Sequence, residues 1–192
     1  MKSSYQIILA SKSPRRSSLL TQMGFSFENR TKDVDESYPP DLPADKVALY
    51  ISEKKAAAFK DSLKENELII TSDTVVVYNN EVLGKPVNDH EAFDFIKAMS
   101  HASHDVYTGV TILTKDQKIS FSDRSIVHFS EISDEEILFY IKEYNPSDKA
   151  GAYGIQEWIG HNFIHKIEGS YTNIMGLPTE KLYRTIKSLE TV

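Results

Sequence analysis

Three groups of residues in this chain have the types and spacings that could bind an anion, hold a metal or activate water. The first is Ser11-Lys12-Ser13-Pro14-Arg15-Arg16, between the apolar run Ile7-Ile8-Leu9-Ala10 and a helical pattern carried by Leu19, Leu20 and Met23. Ser13 suits an N-cap and Pro14 the first helical position, so a strand feeds a short turn and then a helix. Arg15 and Arg16 fall in the first turn, where the helix dipole disfavours cations. Two arginines beside the N–H groups of a helix start are either a site for a polyanion, most simply a phosphate chain, or a pair of solvated surface arginines. The second is Asp73, inside the apolar and small-residue run from Leu68 to Tyr78 and followed by the hydroxyl of Thr74. A carboxylate there is costly unless it is paired, hydrogen-bonded or bound to metal. It either holds Mg²⁺ or activates water at a strand end, or it caps adjacent backbone. The third is Gly84-Lys85-Pro86, which sets an ammonium between a flexible and a rigid residue, against phosphate or in an ordinary turn.

Weaker candidates accompany these. Asp33, Asp35 and Glu36 cluster in an acidic stretch that is either a source of metal ligands or a solvated loop. Lys54 and Lys55 lie on a helix with mostly apolar neighbours, and one of them is placed to point at the anion site. Asp148 to Gln156 is rich in small residues that let backbone approach a ligand, with Tyr153 and Gln156 available for stacking and amide pairing to a base. It lacks the G-x-x-x-x-G-K-[ST] spacing of a P-loop, and a plain structural loop explains it equally well. The six histidines show no zinc-type spacing and are read as surface or core residues. Trp158 is read as packing.

The elements that must position these residues follow from periodicity and capping. The pattern predicts a strand over 6–10, a helix over 14–23 ending at Gly24, a short strand over 25–28, and a loop over 32–45 with five acidic residues and three prolines. A helix over 46–63 and a strand over 68–78 follow, then an Asn79-Asn80 hairpin turn into 81–83. Asp89 is placed to cap a helix reaching Met99. Long strands are expected near 104–114 and 118–129, and Ser133 to Glu136 is a capping box opening a helix to Glu143. A strand over 161–168, a loop over 169–176 and a last helix from Pro178 complete the pattern. Alternating strands and helices interrupted by hairpins make a mixed α/β sheet rather than a purely parallel one. No linker marks an internal boundary, and the middle, about 80–130, is a candidate smaller lobe.

Composition narrows the function. The chain has 192 residues, enough for one compact domain or two small lobes. A net charge of −6 argues against a general nucleic-acid binder. The absence of cysteine excludes a disulfide framework and thiol chemistry, and fits a reducing cytoplasm. The apolar run near the N-terminus is too short for a signal peptide, and no membrane span is expected.

Together the segments resemble the Maf family of nucleoside triphosphate pyrophosphatases. The resemblance is carried by Ser11-x-Ser13-Pro14-Arg15-Arg16, Ser72-Asp73-Thr74-Val75-Val76, Gly84-Lys85-Pro86, Asp148 to Gln156, and Gly169-Ser170-Tyr171 with Gly176-Leu177-Pro178, in the family's order along almost the whole chain. It implies one Maf-like domain over 1–192. The implied fold is an elongated mixed sheet flanked by helices, with two lobes around a cleft, like that of inosine triphosphate pyrophosphatases, in a homodimer. It implies hydrolysis of a nucleoside triphosphate to the monophosphate and pyrophosphate with a divalent metal, Mg²⁺ or Mn²⁺, in cytoplasmic house-cleaning of nucleotides, and a link to septum formation. The loop ending Gly154-Ile155-Gln156 resembles the branch acting on dTTP and UTP. The alternatives are the 7-methyl-GTP branch, a broad nucleotide pyrophosphatase, and a nucleotide-binding regulator of septum formation.

By that similarity Arg15, Thr74 and Gln156 fall on specificity positions, and Asp73 on the general base and metal ligand. Glu36 falls on a second metal ligand, and Ser11, Arg16, Lys55 and Lys85 on phosphate-binding positions. An Asp has a reference pKa of ~3.9, so orientation of water weighs more than basicity. One departure is visible: Glu157 stands where many members have glycine, and an added carboxylate there either alters the loop or repels phosphate.

Overall fold

A computed structural model of the chain describes residues 4–190. Its sheet starts from the apolar run near the N-terminus. Strand β1 (Gln6–Leu9) pairs in parallel with β2 (Phe27–Asn29) and with β3 (Glu67–Tyr78), setting Ile8 beside Glu28 on one side and Ile69 on the other. Ile7, Ile8 and Leu9 are all buried, as expected of a parallel strand covered on both faces. β3 turns back at Asn79 and Asn80, whose φ angles of 50° and 65° are those of a type I′ hairpin, into antiparallel β4 (Glu81–Leu83). The long strands β5 (Ser103–Leu113) and β6 (Lys118–Phe129) follow, and β7 (Ile164–Glu168) pairs antiparallel with β6. Among the described residues the sheet has seven strands in the order β2-β1-β3-β5-β6-β7, with β4 alongside β3. Parallel and antiparallel pairs share it, so the fold is mixed α/β.

Helices α1 (Pro14–Gln22), α2 (Ala44–Ala57), α3 (Asp89–Met99), α4 (Asp134–Tyr144), α5 (Trp158–Phe163), α6 (Tyr171–Ile174) and α7 (Thr179–Glu190) flank it. α4 opens with the full capping box, Glu136 N donating to Ser133 Oγ and Ser133 N to Glu136 Oε2 at 2.8 Å. α3 is capped one residue earlier than expected, because Asn88 is extended and its side chain accepts from Glu91 N at 2.9 Å. α2 stops at Ala57, and a separate 3₁₀ turn at Lys60–Ser62 completes the segment read as one helix.

Two further segments depart from the sequence pattern. Residues 161–163 close helix α5 instead of opening a strand. Gly160 lies so near the Ile155 carbonyl that a Cβ would be 2.0 Å from its oxygen, so the helix is pressed onto the preceding loop and β7 begins only at Ile164. The expected loop over 169–176 holds α6, capped by Ser170. The amide of buried Asn173 in α6 donates to Val106 O at 3.1 Å and Ser125 Oγ at 2.9 Å. No helix of the described residues is long and apolar enough to cross a membrane.

The chain divides into two compact units. The first comprises the chain through Asp73, Thr108–Asp123 and the stretch from Gly176 onward. The second comprises Thr74–Tyr107 and Arg124–Met175. In the first, Phe59 and Leu63 pack against Ile8 and Ile69. In the second, Ile96 and Met99 of α3, Val127 and Phe129 of β6, Tyr140 of α4 and Tyr153 form the core.

His104 is buried in that second core, with Nε2 2.7 Å from Tyr153 Oη and its ring against Phe129. Burial, with a smaller contribution from His128, pushes its pKa down to about 3. The unfolded chain binds this proton below about pH 6.5 and the folded chain does not, so stability falls as pH drops from there towards 3. His104→Gln, which cannot titrate, is expected to lose less stability than wild type between pH 7 and pH 4.5 in urea unfolding.

Candidate active site

Asp73 is the last residue of the first unit, and its side chain is 12% exposed. Lys55, on the last turn of α2, supplies its partner: Nζ lies 2.7 Å from Asp73 Oδ1 and 2.9 Å from Glu36 Oε1. Two carboxylates 37 residues apart in the chain therefore share one ammonium. Lys54, the neighbouring candidate, points elsewhere and meets Asp35 Oδ2 and Ser37 O, each at 2.9 Å. Asp33 pairs with Lys12 at 2.8 Å. The acidic stretch does not act as one cluster, because each of its three carboxylates faces its own lysine and only Glu36 reaches Asp73's partner. The Ser37 hydroxyl and Lys54 hold Asp35 well below the usual carboxylate range.

The geometry of this pair is set by small buried polar residues that are not conspicuous in the sequence. Thr71 Oγ1, two residues before Asp73, donates to Ser52 O, one helical turn before Lys55, at 2.7 Å. Ser52 Oγ lies 3.0 Å from Thr111 Oγ1 on β5. Gly109 lets α2 approach the strand, since a Cβ there would lie 2.4 Å from the backbone of Leu49. These contacts clamp α2 to β3 and β5 in one register. The available signal is Ser52 itself, a polar residue on the apolar stripe of Val47, Ala48 and Ile51.

The Ser-Pro-Arg-Arg turn folds as a helix start with Pro14 at its first position, but Ser13 makes no side-chain cap. Ser11 braces the turn ahead of the helix: its buried hydroxyl accepts from Ser13 N at 3.1 Å and from Arg16 Nη1 at 3.5 Å. Arg16 also donates through Nε to Gly176 O at 2.9 Å, and Ser72 Oγ donates to the same carbonyl at 3.1 Å. Gly176 thus ties the arginine turn to the residue before Asp73. Burial lowers the Arg16 pKa, the charge of Asp73 opposes that, Arg15 adds to the lowering, and Glu36 opposes it. The guanidinium stays charged. Ser11, Arg16, Glu36, Lys55 and Asp73 are therefore gathered in the first unit, with Arg15 near enough to be felt by Arg16.

The second unit carries Thr74, Lys85 and Gln156. Thr74 follows Asp73 directly on β3 and is partly buried. Lys85 is exposed after β4, and the Gly84 carbonyl beside it accepts from Gly151 N at 3.0 Å, tying that turn to the 150–156 loop. Gln156 is partly buried, in a turn closed by Glu157 N donating to Gly154 O at 3.0 Å. The Glu157 carboxylate is taken up inside the loop, 3.1 Å from Lys149 Nζ and 2.5 Å from the Tyr140 hydroxyl. Among the described residues no group of three or more His, Cys, Asp or Glu side chains comes together as a metal cage. Glu36 and Asp73 instead supply hard oxygens around one cationic position. Carboxylate oxygens of this kind are the donors that could hold Mg²⁺ or Mn²⁺.

A carboxylate pair on one ammonium, with Arg16 close by, is an arrangement suited to an anionic substrate, and the comparisons show the family. The sequence model of the Maf-like protein family matches residues 6–189, and the chain belongs to that family. It is 50% identical to a dTTP/UTP pyrophosphatase of Flavobacterium johnsoniae over 96% of this chain and 95% of that one. It is 48% identical to proteins of the same name from Parabacteroides distasonis, at 95% coverage of both chains, and Bacteroides thetaiotaomicron, at 96% of both. Two solved structures match at a TM-score of 0.48 and 12% identity. They are the Staphylococcus aureus Ham1 protein, over 65% of this chain and 71% of that one, and a nucleoside-triphosphatase, dITP/XTP pyrophosphatase, from Mycobacterium abscessus, over 96% of both.

Removing one partner of a largely buried ion pair leaves the other charge uncompensated. Lys55→Met is expected to cost about 3 kcal/mol in urea unfolding at pH 7, the range for such a loss. Lys54→Met, whose partner Asp35 is 71% exposed, is expected to match wild type in the same measurement.

Proposed function

We propose that this protein is a nucleoside triphosphate pyrophosphatase that hydrolyses dTTP and UTP to the nucleoside monophosphate and pyrophosphate. The observation that carries the reading is the convergence of Lys55 on Asp73 and Glu36 within the electrostatic reach of Arg16. Relatives sharing about half of its residues and bearing the name dTTP/UTP pyrophosphatase supply the substrate class.

In this mechanism Arg15, Arg16, Lys55 and Lys85 hold the triphosphate, with the Ser11 hydroxyl bracing Arg16. Their charge offsets the negative charge that builds on the leaving pyrophosphate. Asp73 accepts a proton from the water whose oxygen attacks the α-phosphorus. As the new P–O bond forms, the bond from the α-phosphorus to the bridging oxygen breaks, and pyrophosphate leaves on that oxygen. Glu36 and Asp73 would hold a divalent cation, Mg²⁺ or Mn²⁺, which when bound supplies Lewis-acid charge to the phosphate oxygens. Lys55 keeps the two carboxylates at one place before the cation and substrate arrive, so little rearrangement is spent at the moment of reaction. Arg15, Thr74 and Gln156 select the nucleotide. The same reading takes the protein as a cytoplasmic homodimer acting on free nucleotides, and the net charge of −6 supports free nucleotides over nucleic acid.

The test is release of pyrophosphate from dTTP, UTP, CTP and 7-methyl-GTP with Mg²⁺ or Mn²⁺. Turnover is expected to be greatest with dTTP and UTP and to vanish on chelation of the metal. Asp73→Asn is expected to lower kcat on dTTP by about 100-fold or more, with KM changed far less. Near-normal turnover by that variant would sink the role of Asp73. Nucleotide binding without pyrophosphate release at saturating metal would instead favour a regulator.

A further inference from the structure

Glu157, Tyr140 and Lys149 form a closed polar network inside the second unit. The Tyr140 hydroxyl donates to Glu157 Oε2 at 2.5 Å and accepts from Gly154 N at 3.0 Å. Glu157 Oε1 lies 3.1 Å from Lys149 Nζ, which Asp148 Oδ1 also meets at 2.7 Å. Tyr140 is wholly buried and the Lys149 side chain nearly so. Such a network contributes little net stability over an apolar core of the same shape, but when satisfied it admits one arrangement.

The backbone around it is equally confined. At Gly154 a Cβ would lie 2.6 Å from the Glu157 carboxyl carbon. Gly151 has φ +66° and would place a Cβ 2.9 Å from the Val76 side chain. Gln156 sits inside the turn that Gly154 and Glu157 close, and both of those residues are hydrogen-bonded to the Tyr140 hydroxyl. Amide chemistry makes that anchoring matter. A carboxamide reads uracil or thymine by accepting from N3–H and donating to O4. Turned end for end, it presents the reverse pattern and suits cytosine, so discrimination depends on how firmly the glutamine is held.

We propose that the Tyr140–Glu157–Lys149 network is the positioning device for base selection, holding Gln156 so that its amide presents the edge complementary to uracil and thymine and not the one complementary to cytosine. The inference rests on the reading of Gln156 as a base-selecting residue. Glu157 is then a positioning residue: its charge is consumed by Lys149 and Tyr140, and it acts on the base through the loop.

The test uses the full chain and the variants Tyr140→Phe, Glu157→Gln and the double variant, with kcat and KM for UTP and CTP and the thermal midpoint of each. Each single variant is expected to lower the UTP-to-CTP ratio of kcat/KM by about tenfold, since discrimination carried by hydrogen bonds is lost with their geometry. A rise in KM for UTP is expected to carry the change, with kcat within about threefold of wild type. The double variant is expected to fall no further than the singles, because the three groups act as one unit. If Tyr140→Phe fails to fold, Lys149→Met, which leaves the Tyr140–Glu157 bond in place, is expected to move the ratio in the same direction. An unchanged ratio with a lowered thermal midpoint would overturn the inference alone and leave the network a structural brace. A wild-type chain that releases no pyrophosphate from UTP or dTTP would overturn the proposed function and this inference together.

Discussion

The Lys55 ammonium between Asp73 and Glu36 is the interaction on which the first unit is organised. Asp73 stands in a strand whose neighbours are buried, and a carboxylate in that place is strongly disfavoured without a partner. The partner comes from a helix, and a long lysine side chain has many rotamers. Its value therefore depends on how well the helix is held. That is the role of the Thr71–Ser52–Thr111 hydrogen bonds and of Gly109, which bring the α2 backbone onto the sheet. The shared Gly176 carbonyl does the same for Arg16 and Ser72. Charge placement in this unit is thus a consequence of backbone placement.

The second unit solves a similar problem with different chemistry. Its loop from Lys149 to Glu157 packs Tyr153 and Ile155 into the core and is further held by the Tyr140 phenol, a salt bridge and two glycines whose Cβ positions are already occupied. Both units bury charge beside a proposed ligand-binding residue and satisfy it within a few ångströms. A fixed, desolvated charge interacts more strongly with an incoming phosphate or base than a mobile solvated one, at the cost of a polar group that must always be paired.

Much of the fold was legible because it is local. The β1 run, the Asn79-Asn80 turn, the Ser133 capping box and the Pro14 helix start each depend on a few adjacent residues. Elements set by distant contacts were not. Residues 161–163 are helical because Gly160 is pressed on Ile155, and 171–174 are helical around an asparagine whose amide is bonded to β5 and β6. The bounds of the two compact units were not legible either: the stretch read as a candidate lobe, about 80–130, is divided between them, because β3, β5 and β6 pass from one to the other without a linker.

The candidate site divides along the same line. By itself the sequence determined which residue types are present and in what order: an arginine turn, an aspartate in an apolar strand, a lysine between Gly84 and Pro86, and a small-residue loop ending in Gln156. It also determined the family, since those segments recur together along nearly the whole chain. Only the tertiary structure decided which lysine of the Lys54-Lys55 pair meets Asp73, which carboxylate of the acidic stretch joins it, and where the charge of Glu157 goes. The physical reason is that a side chain's partner is set by helix rotation and strand register, and those depend on buried contacts between residues tens of positions apart. A difference of one residue on α2 turns an ammonium from Asp73 to Asp35.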